Sequence, residues 1–175
     1  MMNVVLGVTG SIADYKACEL VRLLVKRGDD VHVVMTEHAR AFVTPLTFQT
    51  LSRNPVECDL FADPQDWKPE HVSLAAAADL VVVAPATANI LAKMAHGIAD
   101  DLLSSTLLAT KAPVVVAPAM NTGMWENPAT QANVAALVSR GVRVVRPGTG
   151  ELACGTSGAG RMAEPSEILS ACSIS

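Results

Sequence analysis

The stretch Asn3-Val-Val-Leu-Gly-Val-Thr-Gly-Ser-Ile-Ala-Asp-Tyr-Lys16, with its continuation to Gly28, decides the fold. Residues Asn3–Val8 are a short apolar, β-branched run, which is typical of a strand buried on both faces. Ile12–Arg27 has the apolar spacing of an amphipathic helix, with basic residues in its last turn and Gly28 just beyond. A strand joined to a helix by a glycine-containing turn predicts the first unit of a parallel α/β sheet.

The same alternation continues outward from this unit. Further strands are predicted at Val31–Met35, Leu80–Ala84, Val114–Ala117 and Val142–Val145, and further helices near Glu37–Phe42 and at Ala88–Ala95, Asp100–Ala109 and Thr130–Ser139. Leu51–Glu70 contains three prolines and is expected to be an irregular surface segment. The order predicts an α/β fold: one domain over residues 1–175, with a doubly wound parallel sheet flanked by helices and ligands bound beyond the carboxyl ends of the strands.

Composition and charge argue against several classes of protein. Half of the 175 residues are hydrophobic and only 17% are charged, which is not the composition of a disordered chain. The net charge of -4 gives no reason to expect binding to nucleic acid or to an anionic membrane. The four cysteines form no CxxC pair, so neither a metal site nor a disulfide framework is predicted. A cytoplasmic location with reduced thiols is therefore expected.

The turn Gly7-Val-Thr-Gly-Ser-Ile12 has the features of an anion site. Its glycines allow backbone amides to approach a ligand closely, and the start of a helix favours negative charge. It lacks the third glycine of the dinucleotide fingerprint, and Lys16 lies too far along for a P-loop. A single phosphate is the predicted occupant, with a merely tight strand–helix turn as the alternative. Glu37 leaves open a ribose-binding role, and Thr36 and His38 are candidates for a phosphate or ribityl contact or for helix capping.

Three later stretches carry a specific resemblance. They are Ala84-Pro-Ala-Thr-Ala-Asn89 with Ala95-His-Gly-Ile-Ala-Asp-Asp-Leu-Leu103, then Pro118-Ala-Met-Asn-Thr-Gly-Met-Trp125, and Leu152-Ala-Cys-Gly-Thr-Ser-Gly-Ala-Gly-Arg-Met162. With Gly10–Lys16 and His71-Val-Ser-Leu74, they closely resemble the flavin-containing cysteine decarboxylases over about Val4 to Pro165. The second and third stretches are specific, and they resemble the members that decarboxylate phosphopantothenoylcysteine in coenzyme A biosynthesis.

The resemblance implies a Rossmann-like, flavodoxin-related sheet that binds FMN and no metal. The residues that match the family's cofactor site are Gly10, Ser11, Ile12, Thr36, Phe42, Thr87, Ala88, Asn89, Ile90, Ser104 and Ala119. The family's catalytic histidine, substrate-carboxylate ligand and proton-donating cysteine match His71, Asn121 and Cys154, and its substrate clamp matches Glu151, Ala153 and Met162. Family members assemble as homotrimers or dodecamers with the flavin near a subunit boundary. His71 is therefore expected to serve the flavin of a neighbouring subunit.

The reaction explains why these residue types are needed. A cysteine carboxylate loses CO2 readily once its CH2–SH group is oxidised to a thioaldehyde, and a flavin can take the hydride and return it. His71 is the candidate to remove a proton during oxidation or to organise the reacting carboxylate. The Asn121 amide can donate to the carboxylate without adding charge, and Cys154 is the candidate acid. The glycines around Cys154, including Gly155 and Gly158, predict a mobile flap over the substrate.

Three alternatives remain at this point: a decarboxylase of C-terminal peptidyl cysteine, a flavin prenyltransferase, and a non-catalytic FMN-binding regulatory protein. A prenyltransferase would leave the set of His71, Asn121 and Cys154 unexplained, and the presence of His71 and Cys154 weighs against the regulatory protein. Asp14 departs from the small residue that relatives often carry, and its charge is expected to weaken the phosphate site unless it points into solvent. Other residues are expected to be structural, namely Cys18, Cys58, His32, His96, Met124 and Trp125.

Overall fold

A computed structural model describes residues 1–61, 69–151, 155 and 157–173. Its centre is a parallel sheet of six strands in the order β3-β2-β1-β4-β5-β6. The strands are β1 (Asn3–Val8), β2 (Asp30–Met35), β3 (Val56–Glu57), β4 (Leu80–Ala86), β5 (Val114–Pro118) and β6 (Arg143–Val144). The chain runs outward in one direction from β1 to β3 and in the other from β4 to β6, so the order reverses between β1 and β4. The predicted doubly wound α/β fold is confirmed.

Helices cover both faces of this sheet. They are α1 (Asp14–Arg27), α2 (Pro45–Ser52), α3 (Glu70–Ala77), α4 (Ala88–His96), α5 (Leu102–Ala109), α6 (Thr122–Glu126), α7 (Pro128–Ser139) and α8 (Pro165–Ala171), with a 3-10 helix at His38–Ala41. Two further strands, β7 (Gly148–Glu151) and β8 (Ser157–Arg161), form an antiparallel hairpin outside the main sheet. Among the described residues, none of the helices has the length and apolarity that crossing a bilayer requires.

Alternation along β1 divides the core into two layers. Val4 and Leu6 face one side, where α1, α2 and α8 bury residues such as Leu20 against them. Val5 faces the other side, where α4 and α5 contribute Leu91 and others. Each fully buried Val or Leu side chain stabilises the fold by about 1.5–3 kcal/mol relative to exposure. Because both faces are covered, the sheet can offer a ligand only its edges and the ends of its strands.

Several element boundaries differ from those predicted. Helix α1 begins at Asp14 rather than Ile12, because the Asp14 N–H closes a turn on the Ser11 carbonyl at 3.0 Å. Strand β4 continues through Pro85 to Ala86, although it was predicted to end at Ala84. The register with β5 shifts between Val83 and Ala86, so the missing N–H of the proline falls at an irregularity in the ladder.

The segments predicted to lack regular structure contain more of it than expected. The described parts of Leu51–Glu70 include the end of α2, strand β3 beside β2, and the start of α3. The glycine-rich region expected to be a mobile flap contains the β7–β8 hairpin. Residues 152–154 and 156, which come between β7 and β8 in sequence or next to β8, lie outside the described residues, so closure of a flap stays a prediction.

Candidate functional site

A crevice opens at the carboxyl ends of β1, β4 and β5, where the strand order reverses. Its larger part is a cavity of about 640 Å³, which we call the large cavity. The turn after β1, the start of α4, the loop after β5 and the end of the hairpin all contribute to its wall. A neighbouring cavity of about 440 Å³, the small cavity, extends toward β2. The two share Gly10, Thr87, Ala88 and Met124, so they are contiguous parts of one site.

The turn at Gly10–Ile12 presents its backbone to the large cavity. Within the described part of the chain, the N–H groups of Gly10, Ser11 and Ile12 have no hydrogen-bond acceptor of normal geometry, whereas the Ala13 N–H is accepted by the Ser11 hydroxyl at 3.2 Å. A Cβ atom on Gly10 would lie 2.6 Å from the Cβ of His38, so only glycine allows this packing. Three unpaired N–H groups at the start of a 14-residue helix form a site suited to an anion.

Thr9 connects the ends of the two central strands and was missed by sequence reasoning. Its hydroxyl donates to the Pro85 carbonyl at 2.8 Å and accepts from the Thr87 N–H at 3.1 Å. Thr87 in turn caps α4, since its hydroxyl accepts from the Ile90 N–H at 3.4 Å. These bonds fix the start of α4 beside the Gly10 turn. The only sequence signal for Thr9 was its position directly after β1.

The loop after β5 places Asn121 at the mouth of the large cavity. The Asn121 side-chain oxygen caps α6 by accepting from the Gly123 N–H at 2.8 Å. The neighbouring Met120 N–H donates to the Gly160 carbonyl at 3.0 Å and so joins this loop to the hairpin. Gly160 has φ +135°, and a Cβ atom there would lie 2.2 Å from the Met120 carbonyl oxygen. The close approach of hairpin and loop therefore depends on glycine.

Lys16 lines the large cavity and bonds to the segment that follows β8. Its ammonium group donates to the Met162 carbonyl at 3.1 Å and to the Glu164 carboxylate at 2.8 Å, and the residue is only 4% exposed. The hydrogen bond from Lys16 is the main reason that the pKa of Glu164 lies below its usual value. The Lys16 charge is therefore engaged within the protein, and it ties α1 to the segment that carries Met162.

Asp14, the first residue of α1, is buried just after the Gly10–Ile12 turn. The residue is 0% exposed, and neither of its carboxylate oxygens makes a hydrogen bond of normal geometry with the described residues. Burial raises the pKa of Asp14 to about 7, and the nearby Ser11 backbone opposes this only partly. The side chain of Asp14 does not reach solvent, so the exception made for a carboxylate that points into solvent does not apply. The expected weakening of the phosphate site stays a prediction.

The small cavity contains an ion-pair cluster that the sequence analysis did not identify. Lys93 donates to Asp100 at 2.6 Å and to Asp101 at 3.2 Å, and all three residues line this cavity. The hydrogen bond from Lys93 lowers the pKa of the Asp100 carboxyl. Since two carboxylates accompany one ammonium group, this cluster presents polar atoms without an excess of positive charge. The Lys93 and Asp100 spacing, seven residues apart across a helix end, carried no recognisable motif.

The crevice brings together most of the residues predicted for cofactor and substrate. Those lining the large cavity are Gly10, Ser11, Ile12, Thr87, Ala88, Ala119, Asn121 and Met162. Thr36, Asn89 and Ile90 line the small cavity. Met124 was expected to be a packing residue, but it is half-exposed and lines both cavities, whereas its neighbour Trp125 is buried.

Three predicted residues lie away from both cavity walls. Phe42 follows the 3-10 helix and is half-exposed. Ser104 is buried in a capping box with Asp101 at the start of α5. His71 lies in the first turn of α3, and its Nδ1 is buried with no hydrogen-bond partner among the described residues. Ala153, Cys154 and the side chain of Glu151 lie outside the described residues.

Comparison with known proteins identifies one matching family and several similar proteins. The Flavoprotein family matches residues 1–173. The coenzyme A biosynthesis bifunctional protein CoaBC of Bacillus subtilis (strain 168) is 50% identical over 167 residues, which are 95% of this chain and 41% of that protein. CoaBC of Mycobacterium bovis is 52% identical over 166 residues, covering 95% of this chain and 39% of that protein. The chain thus spans about two fifths of the length of these relatives.

Solved structures share the fold over nearly the whole chain. A mutant of PPC decarboxylase complexed with pantothenoylaminoethenethiol superposes with a TM-score of 0.86 at 33% identity, covering 97% of this chain and 95% of that one. The FMN-dependent cysteine decarboxylase SpaF gives a TM-score of 0.83 at 33% identity, covering 99% and 98%. The FMN binding protein AtHal3 gives 0.82 at 34% identity, covering 97% and 94%.

Proposed function

This chain belongs to the Flavoprotein family, and we propose that it binds FMN and decarboxylates phosphopantothenoylcysteine to phosphopantetheine in coenzyme A biosynthesis. The observation that carries this proposal is one crevice that runs continuously from the unpaired N–H groups of Gly10–Ile12 to the Asn121 loop. A cofactor whose phosphate binds at the Gly10–Ile12 turn would leave the part of the crevice beside the Asn121 loop open to a substrate that bears a carboxylate. The volumes of the two cavities lie in the range of ligand pockets, about 300–1,000 Å³.

The residues present fit FMN on structural grounds. The turn supplies donors and a helix start for a phosphate, and Gly10 leaves its backbone uncovered. The apolar side chain of Ile90 and the small side chain of Ala88 line the walls that would border a flavin ring. When bound, the flavin supplies reversible hydride acceptance, which the protein side chains cannot provide.

The chain's own residues then have separable tasks. Asn121 holds the substrate carboxylate through its amide, in a loop fixed by the Met120–Gly160 hydrogen bond. Met162, buried at the cavity wall, excludes water from the reacting end. Cys154 donates a proton to the enethiolate carbon after CO2 has left, and Glu151 and Ala153 hold the substrate beside it.

His71 acts from a neighbouring subunit in this proposal. Within one chain it lines neither cavity, yet its Nδ1 is buried and has no partner among the described residues. A homotrimer, alone or within a dodecamer, would bring the first turn of α3 to the crevice of the next copy. The exposed Ile12 and Tyr15 side chains at the mouth of the large cavity supply apolar surface for that contact.

A mass-spectrometric turnover assay on the purified protein tests the proposal. Phosphopantothenoylcysteine and a short peptide ending in cysteine are offered separately, and bound flavin is measured by absorbance. Loss of CO2 from the first substrate alone supports the coenzyme A assignment. Loss from the peptide alone moves the substrate to peptidyl cysteine, and bound flavin with neither reaction favours a non-catalytic FMN-binding protein.

A further inference from the structure

Asp14 is an unusual buried acid in this chain. Two other buried ionisable residues have partners: Lys16 binds Glu164 and the Met162 carbonyl, and Asp29 binds Arg27 at 2.6 Å. Asp14 is as buried as these, but its two oxygens have no partner among the described residues. An ionised carboxylate in such surroundings is strongly disfavoured, so the group tends to keep its proton.

The position of Asp14 connects it with the anion site. It is the first residue of α1 and follows directly after the Gly10–Ile12 turn. Side chains on a helix lean toward its amino end, so the carboxyl is directed back toward that turn. The Ser11 backbone is the group that stabilises its ionised form. The ionised Asp14 and a bound phosphate would therefore both draw on the Ser11 N–H.

No counter-charge compensates Asp14 within the described part of the chain, since it takes part in no ion pair. On its own helix, Lys16 is engaged and Cys18 has its thiol pKa raised, first by burial and then by Asp14. Strands β1 and β4 and helix α2 contribute no ionisable side chain. The ionisable groups of the other adjoining elements are Glu164 and Glu167 at α8, Asp30 and His32 on β2, and His38 and Arg40 on the 3-10 helix.

We propose that Asp14 couples occupancy of the Gly10–Ile12 turn to protonation: its carboxyl is neutral while a phosphate is bound, and when ionised it repels the phosphate. This inference rests on the FMN site proposed above. Binding of a phosphate dianion then takes up one proton from solvent wherever the empty protein has Asp14 ionised. The neutral carboxyl removes the charge repulsion and leaves the Ser11 N–H to the phosphate.

The coupling has a quantitative consequence for cofactor affinity. The burial of Asp14 sets its pKa near 7 in the empty protein, so affinity falls as pH rises above that value. With one proton taken up, the dissociation constant of FMN rises about tenfold for each pH unit above about 7. The phosphate itself adds no slope in that range, because its second pKa is about 6. Riboflavin lacks the phosphate and should bind without this dependence.

Equilibrium dialysis of the purified chain with FMN and with riboflavin, from about pH 6 to pH 9, tests the coupling. Asp14→Asn keeps the shape of the neutral carboxyl and removes its titration. We expect wild-type FMN affinity to fall by about a hundredfold over this range, nearly all of it above pH 7, while the variant stays within about twofold. Riboflavin affinity should be flat for both proteins. The inhibition constant of inorganic phosphate should be lower for the variant than for the wild type at the alkaline end.

His38 is the alternative source of a pH dependence, because it packs against Gly10. His38→Gln is therefore the matched control and should retain the wild-type slope. A slope that disappears in His38→Gln and persists in Asp14→Asn overturns the proposal, as does FMN binding with no slope in the wild type. In the latter case the cofactor assignment still stands. If neither protein binds FMN at any pH, the cofactor assignment fails and the coupling fails with it.

Discussion

Replacement of Gly160 by alanine should separate the hairpin from the Asn121 loop. At φ +135° an L-residue is strained by about 1–3 kcal/mol. The new Cβ would also lie 2.2 Å from the Met120 carbonyl oxygen, well inside contact distance, so one of the two backbones must move. That movement breaks the 3.0 Å hydrogen bond from the Met120 N–H, which contributes about 1 kcal/mol. We expect the free energy of unfolding to fall by about 2–4 kcal/mol.

Gly160→Ala should reduce turnover more than it reduces FMN affinity. The displaced loop carries Asn121, and a shift of about 1 Å in a substrate-holding group can reduce turnover about a hundredfold. The Gly10–Ile12 turn follows a different strand and is not part of the displaced loop, so FMN affinity should change less than turnover. Urea unfolding and turnover of phosphopantothenoylcysteine, measured alongside FMN binding, give the three quantities.

Gly148→Ala is the matched control on the same hairpin. The nearest atom to a Cβ there is the Arg161 carbonyl oxygen at 4.0 Å, and the backbone is not left-handed. This variant should stay within about 0.5 kcal/mol of the wild type and keep its turnover. Equal stability and equal turnover of the two variants would refute the argument from the Met120 contact.

Four further predictions concern other parts of the site. Gly10→Ala places a Cβ 2.6 Å from the His38 Cβ, so it should weaken FMN binding at least about tenfold by dialysis; unchanged binding would contradict the packing argument. Asp14→Asn should stabilise the flavin-free protein increasingly as pH rises, because the folded-state pKa, raised from 3.8 to about 7, makes ionisation unfavourable to folding. The gain in the free energy of unfolding, measured with urea, should grow by about 2–3 kcal/mol between about pH 5 and pH 7 and stay constant at higher pH. A gain that does not depend on pH would exclude a buried charge at Asp14. His71→Asn should keep the yellow flavin and abolish CO2 release, and retained turnover would remove His71 from the mechanism. Cys154→Ser should yield a product two hydrogens short of the thiol by mass, whereas normal product would rule out Cys154 as the acid.

Continuous apolar, β-branched runs made much of the fold predictable. The runs at Asn3–Val8 and Leu80–Ala84 are buried on both faces, so their composition alone identifies central strands. Helices α2, α3, α6 and α8 were missed because they span only eight, eight, five and seven residues, too few to show a clear apolar stripe. Helix α8, for example, begins with a Glu164–Glu167 capping box whose polar spacing resembles a loop.

The position of the crevice was predictable from the ends of the strands, whereas the surroundings of individual side chains were not. The Gly10–Ile12 turn and Asn121 were predicted from their positions after β1 and β5 and from the family resemblance. The environment of Asp14 was not accessible in this way, because its burial depends on the elements that pack around the first turn of α1. The same holds for Met124, whose cavity-lining position depends on how α6 lies across the crevice.

The contact between Lys16 and Met162 also constrains the order in which the protein becomes functional. It joins residues 146 positions apart, so it closes one of the longest loops in the chain. Contacts of such high separation form late, because the loop entropy is lost before they give any stabilisation. During synthesis the Gly10–Ile12 turn emerges from the ribosome early, but the Lys16 contacts beside it form only after Met162 and Glu164 have been made. We therefore expect nascent chains to acquire flavin only near the end of translation of this region.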